Sequence, residues 1–260
     1  MQRDPYHQRN EESRPQAAMS SSSSPPRILQ ATARNRVIVS YGVVPDQVAP
    51  LLPDGLVPAR HDGTAYVSLV GVELTKVRVL GLVGPGFRRV PAVELRVHAR
   101  PVQAQSGEDG TWTVRAHVPR RLVAWGARFL YGERVEVASM QPLRREQVDT
   151  VEVTYRLDWQ GREQRIRVLG ERTSVMPASN ARAHTLLRPA WRFGTTRDGT
   201  LLRTRIERPA APVHPVQEHH VTVDWASVYG ELGTLLQNRR PAHVLLSPGT
   251  PVTLRWREQV

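Results

Sequence analysis

The chain has 260 residues, of which 40% are hydrophobic and 23% charged, and both values lie in the ordinary range of globular proteins. No apolar run approaches the ~18 residues of a spanning helix, so we expect a cytoplasmic protein with no membrane partner. Cysteine is absent, which excludes disulfides, thiol nucleophiles and thiolate metal sites.

The formal net charge of +12 first suggests a nucleic-acid partner. However, Lys76 is the only lysine, so 35 of the 36 basic residues are arginines, and they are spread along the chain. A nucleic-acid face usually gathers its charge between aromatic side chains, and aromatics make up only 6% of this sequence. The scattered arginines therefore argue against a nucleic-acid partner and are typical of a solvated basic surface.

The first residues of the chain differ from the rest. They hold a polar run and a serine- and proline-rich stretch at Ser20–Pro26, with almost no apolar periodicity. Such a composition does not bury enough surface to offset the entropy of ordering. We predict a disordered tail over residues 1–33 and one domain over residues 34–260, with Met19 as an alternative start.

The first half of this domain carries mostly strand patterns. In chain order, they predict a strand, a short helix from Pro45, a strand bent near Gly71 and a hairpin, followed by a helix that Gly132 ends. The ranges are Arg36–Val43 for the first strand, Ala65–Leu80 for the bent strand, Pro91–Gln103 with Thr111–Val118 for the hairpin, and Arg120–Tyr131 for the helix.

The second half continues in the same way. A hairpin joins Val148–Trp159 to Glu163–Leu169, a weak helical pattern covers Ala181–Phe193, and a strand follows over Leu201–Arg208. The last elements are a helix over Val223–Gln237, with Asp224 as its N-cap, and a strand over Pro251–Glu258. Many antiparallel strands with few helices predict an α+β, mainly antiparallel β fold, a barrel or sandwich with flanking helices.

Two segments carry a family resemblance. Tyr41–Leu56 (YGVVPDQVAPLLPDGL) joins a strand ending in tyrosine to a short helix, and Ala127–Met140 contains A-R-F-L-Y-G followed by V-A-S-M. Over about residues 35–258 the chain resembles the acetoacetate decarboxylase-like superfamily and, within it, the uncharacterised bacterial YqjF-like family, domain of unknown function 2071. The resemblance implies a twisted β-barrel or cone around a central apolar cavity.

The catalytic motif of the decarboxylases is only partly present. These enzymes use a Schiff-base lysine beside a second lysine that lowers its pKa, in the motif G-R-E-x-x-x-x-P-K-K. Arg128 matches the arginine of that motif, but Val135 and Glu136 fall at the two lysine positions. The resemblance therefore implies that Schiff-base chemistry is absent, and we predict no cofactor.

A second motif, E-x-N-x-R-T-Y in the YqjF-like family, is kept only at its acid, Glu94. Arg96, His98 and Arg100 replace its asparagine, arginine and tyrosine, and alternate residues of a strand share one face. This face either lies in solvent or forms a site for a carboxylate or for proton transfer. On the second interpretation, we predict that Glu94 faces a cavity and pairs with Arg128.

Metal-ligating residue types gather at His214, Glu218, His219 and His220. The sequence HHVTV is typical of a strand, which would send the last two histidines to opposite faces, and no helical H-E-x-x-H motif is present. We predict no metal site.

Two functions follow from these observations. The first is a small-molecule-binding domain that keeps a decarboxylase-like cavity without the nucleophile, with Glu94, Arg128 and His98 as ligand-binding residues. The second is an enzyme that uses Glu94 with Arg128 or His98 for acid–base chemistry on a small carbonyl or carboxylate compound. Neither the ligand nor the oligomeric state is indicated by the sequence.

Overall fold

The computed structural model describes residues 25–83, 87–104, 107–178 and 182–260. Strands predominate in these ranges and helices are few, as predicted. The strands are Arg27–Val43 (β1), Leu56–Pro58 (β2), Arg60–His61 (β3), Thr64–Val79 (β4), Arg89–Pro101 (β5), Gly110–Val118 (β6), Val135–Val137 (β7), Met140–Glu146 (β8), Thr150–Trp159 (β9), Arg162–Glu171 (β10), Trp191–Thr195 (β11), Leu201–Glu207 (β12), Val216–Thr222 (β13), His243–Arg255 (β14) and Glu258–Gln259 (β15). The helices are Pro45–Val48 (α1), Arg121–Tyr131 (α2), Arg182–Leu187 (α3) and Trp225–Leu236 (α4).

The first strand begins earlier than predicted. β1 starts at Arg27, so the prediction that residues 27–33 belong to a disordered tail is wrong. Ile28 is only 2% exposed, and Gln30 pairs with strands on both sides. The neighbouring serines and prolines concealed this short apolar pattern. The rest of the predicted tail, apart from Pro25 and Pro26, lies outside the described residues.

The larger sheet has 11 strands within the described ranges. β1 lies between β4 and β14 and pairs antiparallel with both. The hydrogen-bonded path runs β2-β5-β4-β1-β14-β12-β11-β6-β7, and β6 also pairs with β5, so the path returns to a strand it has already passed. Among the strands of the described segments, only the β11–β6 and β6–β7 pairings are parallel.

A smaller sheet, in the order β13-β10-β9-β8, packs against the larger one through a shared apolar core. The predicted hairpin across Gln160-Gly161 joins β9 to β10. Tyr155 of β9 is buried, and its hydroxyl donates a hydrogen bond to the carbonyl oxygen of Asn35 at 2.8 Å. Asn35 lies in the register shift between Arg34 and Val37, and Val37 pairs with Gly71. The irregularity near Gly71 is therefore a bulge in the partner strand β1.

The helix ends follow local signals. α2 stops at Gly132, whose φ of 64° lies in the left-handed region that favours glycine. Asp224 caps α4 by accepting a hydrogen bond from the Ser227 backbone N–H.

The last long strand, β14, begins at His243 rather than at Pro251, because it pairs along most of β1. No helix of the described segments combines the length and the apolar character needed to cross a bilayer.

Candidate functional site

A cavity of about 390 Å³ lies between α2 and strands of the larger sheet. The alternation of β5 places Ala92, Glu94 and Arg96 in its wall. The opposite face of β5, which includes Val93 and Leu95, belongs to the core shared with the smaller sheet. Glu94, Arg96 and His98 are therefore buried, which overturns the interpretation that their row faces solvent. Arg100, at the end of the row, is exposed.

Six charged side chains of the cavity wall form a group that we name the charged cluster. Its members are Arg36, Glu94, Arg96, Glu133, Arg192 and Arg208. They come from β1, β5 and β11 and from the segments that directly follow α2 and β12. Four guanidinium groups thus meet two carboxylates, so the charged cluster carries more positive than negative charge.

The two carboxylates are held by Arg96 and Arg192. Glu94 accepts a hydrogen bond from Arg96 Nη2 and, at 2.6 Å, another from Arg192 Nη2. Glu133 accepts from Arg192 Nε and, at 2.8 Å, from Arg192 Nη2. Burial by itself raises the pKa of Glu94, but Arg192 and Arg96 outweigh burial and lower it to about 2. Glu94 is therefore ionised at neutral pH.

The other two arginines of the charged cluster, Arg36 and Arg208, have no carboxylate within ion-pair distance among the described residues. Both donate to the Leu187 carbonyl oxygen, at 2.7 and 3.2 Å. Burial, and then repulsion from Arg96 and Arg192, lowers the pKa of Arg208 to about 9. At neutral pH Arg208 is a half-buried cation, and no carboxylate of the described residues lies within ion-pair distance of it.

Three polar atoms of the cavity wall are buried without a hydrogen-bond partner in the described part of the chain. They are Nε of Arg96, Nε of Arg208 and the hydroxyl of Tyr131. A buried donor without a partner costs about 1–3 kcal/mol. A bound molecule with acceptor atoms would remove this cost.

A close backbone approach places Glu133 beside Arg192. The Thr195 N–H donates to the Gly132 carbonyl oxygen at 3.1 Å. A Cβ at Gly194 would overlap the Tyr131 carbonyl oxygen, and a Cβ at Gly132 would overlap the Thr195 carbonyl oxygen. The end of α2 thus lies directly on β11 because both positions are glycine.

The predicted pairing of Glu94 with Arg128 is wrong. Arg128 lies on the exposed side of α2, and its Nε donates to the Val135 carbonyl oxygen at 2.6 Å. The Glu94 carboxylate pairs instead with Arg192 on β11 and with Arg96 on its own strand. No motif marks Arg192, since only the folded sheet brings β11 next to the Glu94 carboxylate.

His98 is buried but does not line the cavity. Its Nε2 lies 3.0 Å from Ser68 Oγ, which lies 2.8 Å from Ser40 Oγ. His98 lies two residues beyond Arg96 on β5, past the residues of this strand that line the cavity. Burial, and then the charges of His61 and Arg96, lowers the pKa of His98 to about 3, so the imidazole is neutral at pH 7.

We expect His98→Asn to weaken the pH dependence of stability between pH 6.5 and 4.5. The folded state disfavours protonated His98, so its contribution to stability is full above the ordinary pKa of 6.5 and decreases as pH falls toward about 3. Glu94 loses its contribution only below its ordinary value of 4.5, as pH falls toward about 2. Urea unfolding at several pH values measures the slope. The exposed His219→Asn is the control, and equal slopes in His98→Asn and the unmodified protein would contradict this assignment.

The histidines suggested as metal ligands do not form a site in the described ranges. β13 carries His219 and His220, and both are exposed. No group of three or more His, Cys, Asp or Glu residues that could hold a metal ion occurs in these ranges.

The sequence matches the model of one family, DUF2071, described as an uncharacterised conserved protein, over residues 30–251. Among curated proteins, no sequence matches this chain.

Several solved structures share the fold. Acetoacetate decarboxylase from Legionella pneumophila subsp. pneumophila str. Philadelphia 1 has a TM-score of 0.63 and 15% identity, over 94% of this chain and 93% of that one. An acetoacetate decarboxylase-like enzyme from Sphingomonas wittichii RW1 has a TM-score of 0.62 and 12% identity, over 90% and 93%. The enduracididine biosynthesis enzyme MppR complexed with pyruvate has a TM-score of 0.59 and 14% identity, over 93% of both chains. At these identities the likeness establishes an acetoacetate decarboxylase-like fold and no more.

Proposed function

Because the chain belongs to the DUF2071 family and has an acetoacetate decarboxylase-like fold, we propose that it binds a small anionic molecule in the cavity without forming a Schiff base. One observation carries this proposal. Arg36, which is buried, and Arg208, which is half-buried, contribute positive charge to the cavity wall, and within the described residues neither has a carboxylate at ion-pair distance. A buried charge without a partner is costly, and an anion is the ligand that would compensate it.

A carboxylate fits this environment best. A guanidinium group binds the two oxygens of a carboxylate through parallel N–H donors. Nε of Arg96, Nε of Arg208 and the Tyr131 hydroxyl have no hydrogen-bond partner among the described residues and can donate to such a ligand. The apolar surroundings strengthen these interactions relative to water.

Carboxylates should raise the melting temperature of the full chain more than their amides do. The short compounds pyruvate, butyrate and benzoate test the anion, and pyruvamide, butyramide and benzamide match their shapes without the charge. Differential scanning calorimetry with millimolar ligand measures the shift, because a ligand that binds only the folded state stabilises it. If no carboxylate exceeds its amide, the proposal is wrong.

No ketone adduct is expected at the motif position. Val135 contributes to the cavity wall at the place of the first motif lysine, and Lys76 is exposed and does not line the cavity. Treatment with acetoacetate and borohydride, followed by peptide mass spectrometry, should detect no adduct on Lys76, and acetoacetate should not lose CO₂. The matched variant Val135→Lys supplies an amine in the wall as a positive control. An adduct on Lys76 in the unmodified protein would overturn the proposal that Schiff-base chemistry is absent.

The alternative, an acid–base enzyme, has less support. Arg128 points away from Glu94, and His98 lies outside the cavity wall. With its pKa lowered to about 2, Glu94 is a weak base at neutral pH. In its favour, the structural neighbours include proteins named as enzymes. Turnover of a short keto acid by the unmodified chain, lost in Glu94→Gln, would support this alternative.

A further inference from the structure

Away from the charged cluster, the cavity wall is apolar. β1, β4, β5 and β14 contribute aliphatic side chains, and α2 adds others from the opposite side. Representative members are Leu29, Val72, Val77, Val90, Leu130 and Val252. These side chains offer no hydrogen bond, so they discriminate against a ligand that is polar along its whole length.

The size of the cavity exceeds the needs of a short acid. Its volume of about 390 Å³ leaves room for roughly a dozen non-hydrogen atoms, at about 30 Å³ for each water-sized group. A three- or four-carbon keto acid would occupy about half of this space and leave the aliphatic wall uncovered.

The apolar wall continues to the outer surface at α2. Leu122 and Trp125 line the cavity, yet they are 58% and 65% exposed. The Trp125 ring stacks on Phe129, with 5.8 Å between ring centroids and 5° between planes. Large exposed apolar side chains beside an apolar cavity are typical of a ligand entrance.

We propose that the ligand is an amphipathic carboxylate with a hydrocarbon body of about eight to twelve carbons, an inference that rests on the proposed function. The carboxylate binds the charged cluster at Arg208 and Arg96. The hydrocarbon body lies along the aliphatic wall toward α2, where its far end meets Leu122 and Trp125. Cluster and wall act on different parts of the ligand, so each can be tested separately.

A chain-length series tests the hydrocarbon body. Isothermal titration of the full chain with acetate, butyrate, hexanoate, octanoate, decanoate and dodecanoate, each below its micelle concentration, should show affinity rising by about fourfold per CH₂. The increase should stop near the length that fills the cavity. Decanol, which has the same hydrocarbon body without the charge, should bind at least tenfold more weakly than decanoate.

Two alanine-to-phenylalanine variants compare an obstruction in the cavity wall with the same change on the outer surface. Ala127 faces the cavity from α2, and Ala127→Phe should weaken decanoate binding at least tenfold while leaving butyrate binding unchanged. Ala210 is exposed and does not line the cavity, so Ala210→Phe is the matched control and should bind both acids normally. Ala127→Leu provides a smaller obstruction, with an intermediate loss, should the phenylalanine variant fail to fold.

The outcomes distinguish the inference from the proposed function. Equal affinity for butyrate and decanoate, both lost in Arg208→Met, would overturn the amphipathic ligand and leave an anion site. Equal affinity for decanoate and decanol would overturn the role of the charged cluster. Failure of every carboxylate to bind would overturn both.

Discussion

Replacing Arg192 by methionine is expected to lower the free energy of unfolding by about 3–5 kcal/mol. Glu133 loses the arginine that donates to both of its oxygens, and Glu94 loses one of its two partners. Both carboxylates are buried, so the charge left on Glu133 is neither solvated nor paired. Urea unfolding at pH 7 measures the loss.

Arg128→Met is the matched control for this experiment. Arg128 lies on the exposed side of α2 and contacts a carbonyl oxygen instead of the charged cluster. Its replacement should cost less than ~1 kcal/mol, as for most exposed charged groups. Equal small losses in Arg192→Met and Arg128→Met would show that the charged cluster is not a buried network.

Arg208→Met is expected to raise the free energy of unfolding, in contrast to Arg192→Met. In the absence of ligand this variant should be more stable than the unmodified protein by roughly 1–4 kcal/mol, the range found when buried ion pairs are replaced by well-packed apolar side chains. Burial and the neighbouring arginines already lower the pKa of Arg208 to about 9, which reflects the cost of its charge. The same variant should no longer bind carboxylates, because it loses a cation that has no carboxylate at ion-pair distance among the described residues.

Arg205→Met controls for the loss of an arginine near the same position. Arg205 is exposed on β12 and faces the Trp191 ring instead of the cavity. Arg205→Met should change the free energy of unfolding by less than ~1 kcal/mol. It should leave carboxylate binding unchanged. Destabilisation of Arg208→Met by several kcal/mol would identify Arg208 as a structural residue and contradict its assignment to a ligand.

The local parts of the fold could be predicted from the sequence. Gly132 ends α2, Asp224 caps α4, and Gln160-Gly161 turns between β9 and β10. Each of these features depends on a few neighbouring residues, whose conformational preferences act within one turn. The early start of β1 was missed because its pairing partners lie in β4 and β14, far along the chain.

The candidate site could be predicted only in part. The alternation in β5 correctly grouped Glu94 with Arg96 on one face, but it could not show that both faces are buried. That result depends on the smaller sheet covering one face and α2 approaching the other. The partner of Glu94 was missed because Arg192 is 98 residues away in the sequence, and the register of β11 beside β6 decides its position.

The contact between the end of α2 and β11 has a consequence for how such a site can evolve. The Glu133–Arg192 pair depends on two glycines, Gly132 and Gly194, whose missing side chains let the backbones meet. A larger residue at either position would separate the two charges even if both were retained. Sequence changes that preserve the charged cluster are therefore restricted at two positions that do not line the cavity.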